Sequence, residues 1–250
     1  MKITLENNFI SATFESKGAE LISLIKKTTN LNFIWNGNPS FWAKHSPILF
    51  PIVGTLKNDT YYYNEQPYSL SRHGFARDMT FDIISQNENS ITFSLTSNKE
   101  TLVKFPFDFE LQLRYELIDS TLTFNYSILN TSAKDMPFSL GAHPAFALNK
   151  GFSEYSLKFE HQETLNCFVL EHDLLSNNNY PVELNQKSMA LDYSLFEKDA
   201  LIFKELQSKT IAIEENGKPI LIVSFHDFPN LGIWTKVDAP FICIEPWLGY

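Results

Sequence analysis

The sequence predicts an all-β fold, an antiparallel sandwich or barrel. Three observations carry that prediction: two-residue hydrophobic periodicity, polar turns between the apolar stretches, and almost no helical periodicity. Phe109-Glu110-Leu111-Gln112-Leu113-Arg114-Tyr115-Glu116-Leu117 places an apolar residue at every odd position and a polar one at every even position. That is the pattern of a strand with one buried and one wet face. Residues 122–128 repeat it, and the intervening Ile118-Asp119-Ser120-Thr121 is of hairpin length, so the two segments are expected to pair antiparallel. Residues 91–95, 155–159 and 220–225 read as further strands. Ser176-Asn177-Asn178-Asn179 and Glu215-Asn216-Gly217-Lys218 read as turns. Only residues 39–44 and 193–196 offer short helical turns. Many strands and few helices mean a sandwich or barrel.

At 250 residues and 44% hydrophobic composition, the chain is expected to form a single domain over residues 1–250, with a core that needs no metal or disulfide. The two cysteines, Cys167 and Cys243, are far apart and belong to no Cys/His cluster in the sequence, so neither a disulfide framework nor a zinc site is expected. A reducing, cytoplasmic setting is the matching expectation. The N-terminus has no apolar leader-like stretch, and no apolar run approaches bilayer length. A net charge of −9 argues against nucleic-acid and anionic-membrane surfaces, which need clustered cations. A neutral small molecule suits this balance, while a phosphorylated one stays open because two local basic residues would suffice. The 22 phenylalanines are assigned to the core; the four tryptophans stand apart, because indole faces also stack on sugar rings.

Three stretches break the alternation, and function is expected there. In the first, residues 46–54, two prolines rule out a central ladder strand, and Ser71-Arg72-His73-Gly74-Phe75-Ala76-Arg77-Asp78 follows with three potential cations. In the second, Gly141-Ala142-His143-Pro144, proline holds His143 extended. The small residues beside it leave room for a close approach. An imidazole there suits a general acid or base equally with a plain strand-end role. In the third, Glu245 stands in Pro240-Phe241-Ile242-Cys243-Ile244-Glu245-Pro246-Trp247. A carboxylate among apolar neighbours is costly unless it is paired or put to use. His45, His161 and His172 lie in polar or loop contexts and read as surface residues. Phosphate-loop, nucleophile-elbow and His-x-His spacings do not occur.

Taken in order, Phe50-Pro51-Ile52-Val53-Gly54, His73-Gly74-Phe75-Ala76-Arg77-Asp78, Gly141-Ala142-His143-Pro144-Ala145-Phe146 and Ile244-Glu245-Pro246-Trp247-Leu248-Gly249 resemble the aldose 1-epimerase (galactose mutarotase-like) family, and most closely its LacX-like branch. The resemblance implies a large β-sandwich that interconverts the α and β anomers of a hexose without cofactor or metal. It makes His143 the general acid toward the ring oxygen and Glu245 the base toward the anomeric hydroxyl. His73, Arg77, Asp199 and Trp234 would bind the sugar. At rest Glu245 is expected to be ionised and His143 protonated, on opposite sides of the ring. Two departures stand out: Thr55 occupies a place where many relatives carry arginine, and the chain stops at Tyr250 where relatives continue. The latter leads to the expectation of either a shortened chain or an incomplete sandwich edge, which would leave unpaired backbone in the sheet carrying Glu245. The alternatives are a hexose 6-phosphate, met by Arg72, Arg77 or Lys236, and a sugar-binding protein without catalysis. A glycoside hydrolase ranks last, because it needs two flanking carboxylates and only Glu245 stands out. Oligomeric state is not legible in the sequence.

Overall fold

The computed structural model describes all 250 residues, and 51% of them lie in strands. The alternating segment forms the strand Phe109–Ile118, with its odd-numbered residues buried. It pairs antiparallel with Thr121–Asn130, from Phe109 opposite Asn130 to Ile118 opposite Thr121, as the hairpin-length linker requires. Ser90–Thr96 and Asp82–Gln86 complete this four-stranded sheet. A second four-stranded sheet is built from Lys2–Glu6, Ile10–Glu15, Glu20–Lys26 and Leu31–Asn32. A third contains Ser188–Ala190, Tyr155–Phe159, Thr210–Glu215 and Lys218–Ser224. All enclose one large core in which Phe14, Phe93, Phe109, Phe159 and Phe203 are almost fully buried. Most of the phenylalanines serve this packing, as composition predicts.

The largest sheet has eight strands and carries the functional residues. Its order runs Leu174–Val182, Leu165–Glu171, Leu201–Phe203, Asn230–Trp234, Phe241–Leu248, Leu140–Ala142, Ile48–Leu49, with Ala145–Ala147 also pairing with Phe241–Leu248. The last strand therefore sits in the interior of the sheet, flanked on both sides, and the expected bare edge beside Glu245 is not there. Alternation along it decides the site. Ile242 and Ile244 enter the main core, while Cys243, Glu245 and Trp247 point to the opposite face. The Trp247 indole lies across two neighbouring glycines: a Cβ on Gly232 would fall 2.5 Å from the ring, and one on Gly141 would fall 2.9 Å from it. The room read beside His143 is thus filled by Trp247.

Local expectations fare unevenly. Glu215-Asn216-Gly217-Lys218 is a turn with positive φ at Asn216 and Gly217, and residues 193–196 form a short 3-10 helix. Residues 39–44 hold no helix, only a turn in which the Phe41 and Trp42 amides donate to the Asn38 carbonyl. The asparagine-rich 176–179 lies inside the strand Leu174–Val182, and the turn is at His172-Asp173 instead, both with positive φ. That strand is a sheet edge, where solvated amide side chains cost nothing in packing; the Asn178 side chain donates to Glu171. The one α-helix, Lys99–Lys104, is unforeseen; Asn98 caps it, with Thr101 returning the bond. The proline-containing 46–54 contributes only Ile48–Leu49, at the other edge of the large sheet. No helix is long and apolar enough to cross a membrane, and both cysteines are free and buried.

Gly74 joins the segment carrying His73 to the sheet. Its φ is +71°, and a Cβ there would fall 2.2 Å from the Phe50 carbonyl oxygen, which already accepts the Phe75 and Ala76 amides. Gly74→Ala is expected to cost about 2–4 kcal/mol, from left-handed strain plus overpacking against backbone. Urea unfolding at neutral pH measures it.

Candidate active site

The face of the sheet bearing Cys243, Glu245 and Trp247 is the floor of a cleft of about 1120 Å³. All six residues singled out in the sequence line it: His73, Arg77, His143, Asp199, Trp234 and Glu245. His143 Nε2 lies 3.3 Å from Glu245 Oε1, with both side chains nearly inaccessible to water. The two stand side by side on one wall, not across a ring from each other.

Burial governs their charge. It pushes the Glu245 carboxyl well above the usual carboxylate range, and the neighbouring charge of Asp199 adds to this. The Trp247 indole N–H opposes the rise but lacks the alignment of a full hydrogen bond, so it counts as a dipole at close range. Burial likewise pushes the His143 imidazole down to about 3. Burial thus disfavours the charged form of both groups, against the ionic arrangement expected from sequence. The physical reason is the cost of two separated charges in a site closed to water.

His143 is also held mechanically. Trp42 stacks on its ring at 4.8 Å and 25°, and the Trp234 and His73 rings meet it edge-on, each at 5.8 Å. The Trp35 indole N–H donates to the Trp42 carbonyl and fixes that loop. His73 has a left-handed backbone, φ +66°, uncommon for a non-glycine residue, and a reciprocal pair stabilises it. The His73 amide donates to the Gly54 carbonyl at 2.8 Å, and the Gly54 amide donates to His73 Nδ1 at 3.1 Å. Because Nδ1 is an acceptor, the neutral ring carries its proton on Nε2, leaving one N–H donor for a ligand. Burial, with the charges of His143, Arg77 and Arg72, lowers this imidazole to about 2.

Around this centre, the cations meet protein oxygens, while the buried Arg77 Nε makes no hydrogen bond. Arg77 Nη2 donates to the Arg72 carbonyl and its Nε lies 3.8 Å from Asp78. Arg72 meets Asp173 at 2.7 Å, tying the cleft rim to the turn of the neighbouring hairpin. The Lys236 ammonium faces the Ser40 and Phe41 carbonyls. Asp199, φ +82°, accepts from the Ala200 amide. The Thr55 hydroxyl lines the cleft, buried and unpartnered.

The whole chain compares closely with known proteins. Residues 1–249 match the family model described as aldose 1-epimerase. The chain belongs to the aldose 1-epimerase family. It is 38% and 39% identical to the plasmid and chromosomal LacX proteins of Lactococcus lactis subsp. lactis, over 100% of this chain and 88% of each relative. Its fold is similar to that of a galactose mutarotase related enzyme from Lactobacillus acidophilus, with a TM-score of 0.94, 35% identity and coverage of 100% of this chain and 86% of that one. A galactose mutarotase-like protein from Lactobacillus casei gives 0.92, 33%, 99% and 87%.

Within this family member, two cleft residues and two buried groups behind the cleft lie outside the sequence reading. Trp42 lies in a segment read as helical, and Trp247 was quoted without a role. Glu20, buried at the start of Glu20–Lys26, is far away in sequence. Cys243 has its sulfur in a trio with His143 and Glu245, all three donor atoms within 4.8 Å of one another. Two-residue spacing from Glu245 is the signal that would have placed it. Burial and the neighbouring Glu245 raise the Cys243 thiol well above its ordinary value. His45, read as a surface residue, is half-buried, 3.8 Å from Glu20.

His73 makes stability depend on pH. Its folded value lies below the unfolded 6.5, so between pH 6.5 and about 2 the unfolded chain binds a proton that the folded chain refuses. Its contribution is present above 6.5 and is lost as pH falls through that window. Replacing it in His73→Gln is expected to flatten the stability-versus-pH curve between pH 6 and 4 by up to about 1.4 kcal/mol per unit. Denaturant titrations of both proteins across that range measure the difference.

Proposed function

We propose that the protein is an aldose 1-epimerase that interconverts the α and β anomers of a hexose by acid–base opening of the ring. The observation that carries this reading is the 3.3 Å approach of His143 Nε2 to Glu245 Oε1 on the floor of a tryptophan-walled cleft. Opening a cyclic hemiacetal removes a proton from the anomeric hydroxyl while the ring oxygen gains one. Both oxygens are bonded to the same carbon, so adjacent groups suit the exchange. Glu245 takes the hydroxyl proton and His143 delivers one to the ring oxygen. Rotation about the bond between C1 and C2 then presents the other carbonyl face, and the two groups return their protons in reversed roles.

One proton shared between the two groups is all this cycle needs. Ring opening begins with the proton on His143 and ends with it on Glu245, the arrangement burial favours. Sugar binding prepares the start, because the anomeric hydroxyl donates to the carboxylate and supports its charged form. His73 Nε2–H offers a donor to a sugar oxygen, and Arg77 and Asp199 bound the hydroxyl side. Trp42 and Trp234 supply apolar faces.

Mutarotation of freshly dissolved α-glucose or α-galactose, followed by polarimetry, tests the reading. Glu245→Gln and His143→Gln are each expected to lose about 10²–10⁴-fold in kcat. Equal relaxation with wild type and Glu245→Gln would reject the assignment, and tight sugar binding without any acceleration would favour a non-catalytic binding protein. The pairing of Arg72 with Asp173 supports a neutral sugar over a phosphorylated one. Free hexose is therefore expected to exceed its 6-phosphate in kcat/KM, measured by exchange NMR on both.

A further inference from the structure

Glu20 is a buried carboxylate, 7% exposed, that follows the left-handed residue Ala19. Its Oε1 accepts the amides of two successive residues, His45 at 2.6 Å and Ser46 at 3.0 Å. The Ser46 hydroxyl donates to the Leu21 carbonyl, so this three-residue strap is tied to the start of Glu20–Lys26 at several points. The other side of the strap holds the backbone around His143. The Pro47 carbonyl accepts the His143 amide at 3.0 Å, and the His45 carbonyl accepts the Ala145 amide at 2.9 Å. One carboxylate thus anchors the segment that brackets the imidazole, yet it touches neither His143 nor the cleft.

We propose that Glu20 is a positioning residue for His143, holding the imidazole against Glu245 through the 45–47 strap and biasing the shared proton as a buried anion. The inference rests on the acid–base reading of the His143–Glu245 pair. Burial by itself would raise the Glu20 carboxyl, but the His45 side chain and the two strap amides outweigh it and hold Glu20 below its ordinary value. It is an anion throughout the neutral range. Its charge favours a proton on His143, while that of Arg77 disfavours one. The other titratable groups facing the imidazole are Glu245 and Cys243 from the last strand and His73 from the 72–78 segment; His45 faces Glu20.

The test is Glu20→Gln in the full chain, because the amide keeps a carbonyl acceptor for the strap and removes only the charge. Removing a negative charge lowers the proton affinity of the pair, so both limbs of the kcat–pH profile are expected to move to lower pH by roughly half to one unit. Mutarotation kcat at pH 7 is expected to fall about three- to tenfold, with KM within twofold. A ¹⁵N NMR titration of the His143 ring, independent of turnover, is expected to move in the same direction. An unmoved profile and titration would overturn the proposal. So would a parallel loss of kcat, KM and melting temperature with the profile unshifted, which marks a purely structural carboxylate. Absence of mutarotation in the wild type would instead remove the epimerase reading, leaving the titration to judge the link between Glu20 and His143.

Discussion

The constraint on which the rest depends is the desolvation of one imidazole and one carboxylate placed 3.3 Å apart. In water each would carry its own charge at neutral pH or close to it. Inside this sheet neither charge is well supported alone, so the two groups titrate as one coupled unit. Such a unit can exchange protons with a substrate at two points without ever gaining or losing net charge. That property suits a reaction whose two oxygens trade protons, and it comes from placement alone.

Placement, in turn, is a matter of strand parity and of small residues. The last strand sends Ile242 and Ile244 into the core and Cys243, Glu245 and Trp247 to the cleft, so a slip of one residue would exchange the two sets. Gly141 and Gly232 flank that strand and leave a trough for the Trp247 indole, which settles beside the carboxylate. His143 reaches the same spot from a neighbouring strand end, with Trp42 laid over it. The aromatic walls keep out water, and the same exclusion sets the proton inventory.

Much of this was legible in the sequence, for identifiable reasons. Strict alternation over 109–128 specified a hairpin, and its register followed from the linker. Glu245 announced itself as a charge in an apolar run, and the ordered family motifs supplied His73, Arg77 and Asp199. The missed features are those written in space. Glu20 acts through a strap 25 residues away, and its short-range neighbours give no sign of it. The asparagines of 176–179 carry turn chemistry, but pairing with Leu165–Glu171 overrode it. The effect of burial on the pair was not legible, because a sequence records which groups titrate, not how much water reaches them.

The locked tautomer of His73 has a consequence for how the protein meets its surroundings. Its ring keeps the same proton on the same nitrogen from mild acid to mild base, since the Gly54 amide occupies the other nitrogen and burial resists a second proton. The grip it offers a ligand is therefore indifferent to acidity, while the neighbouring pair is sensitive to it. Within one cleft, the donor that would grip a ligand and the pair that would trade protons with it thus answer to different variables.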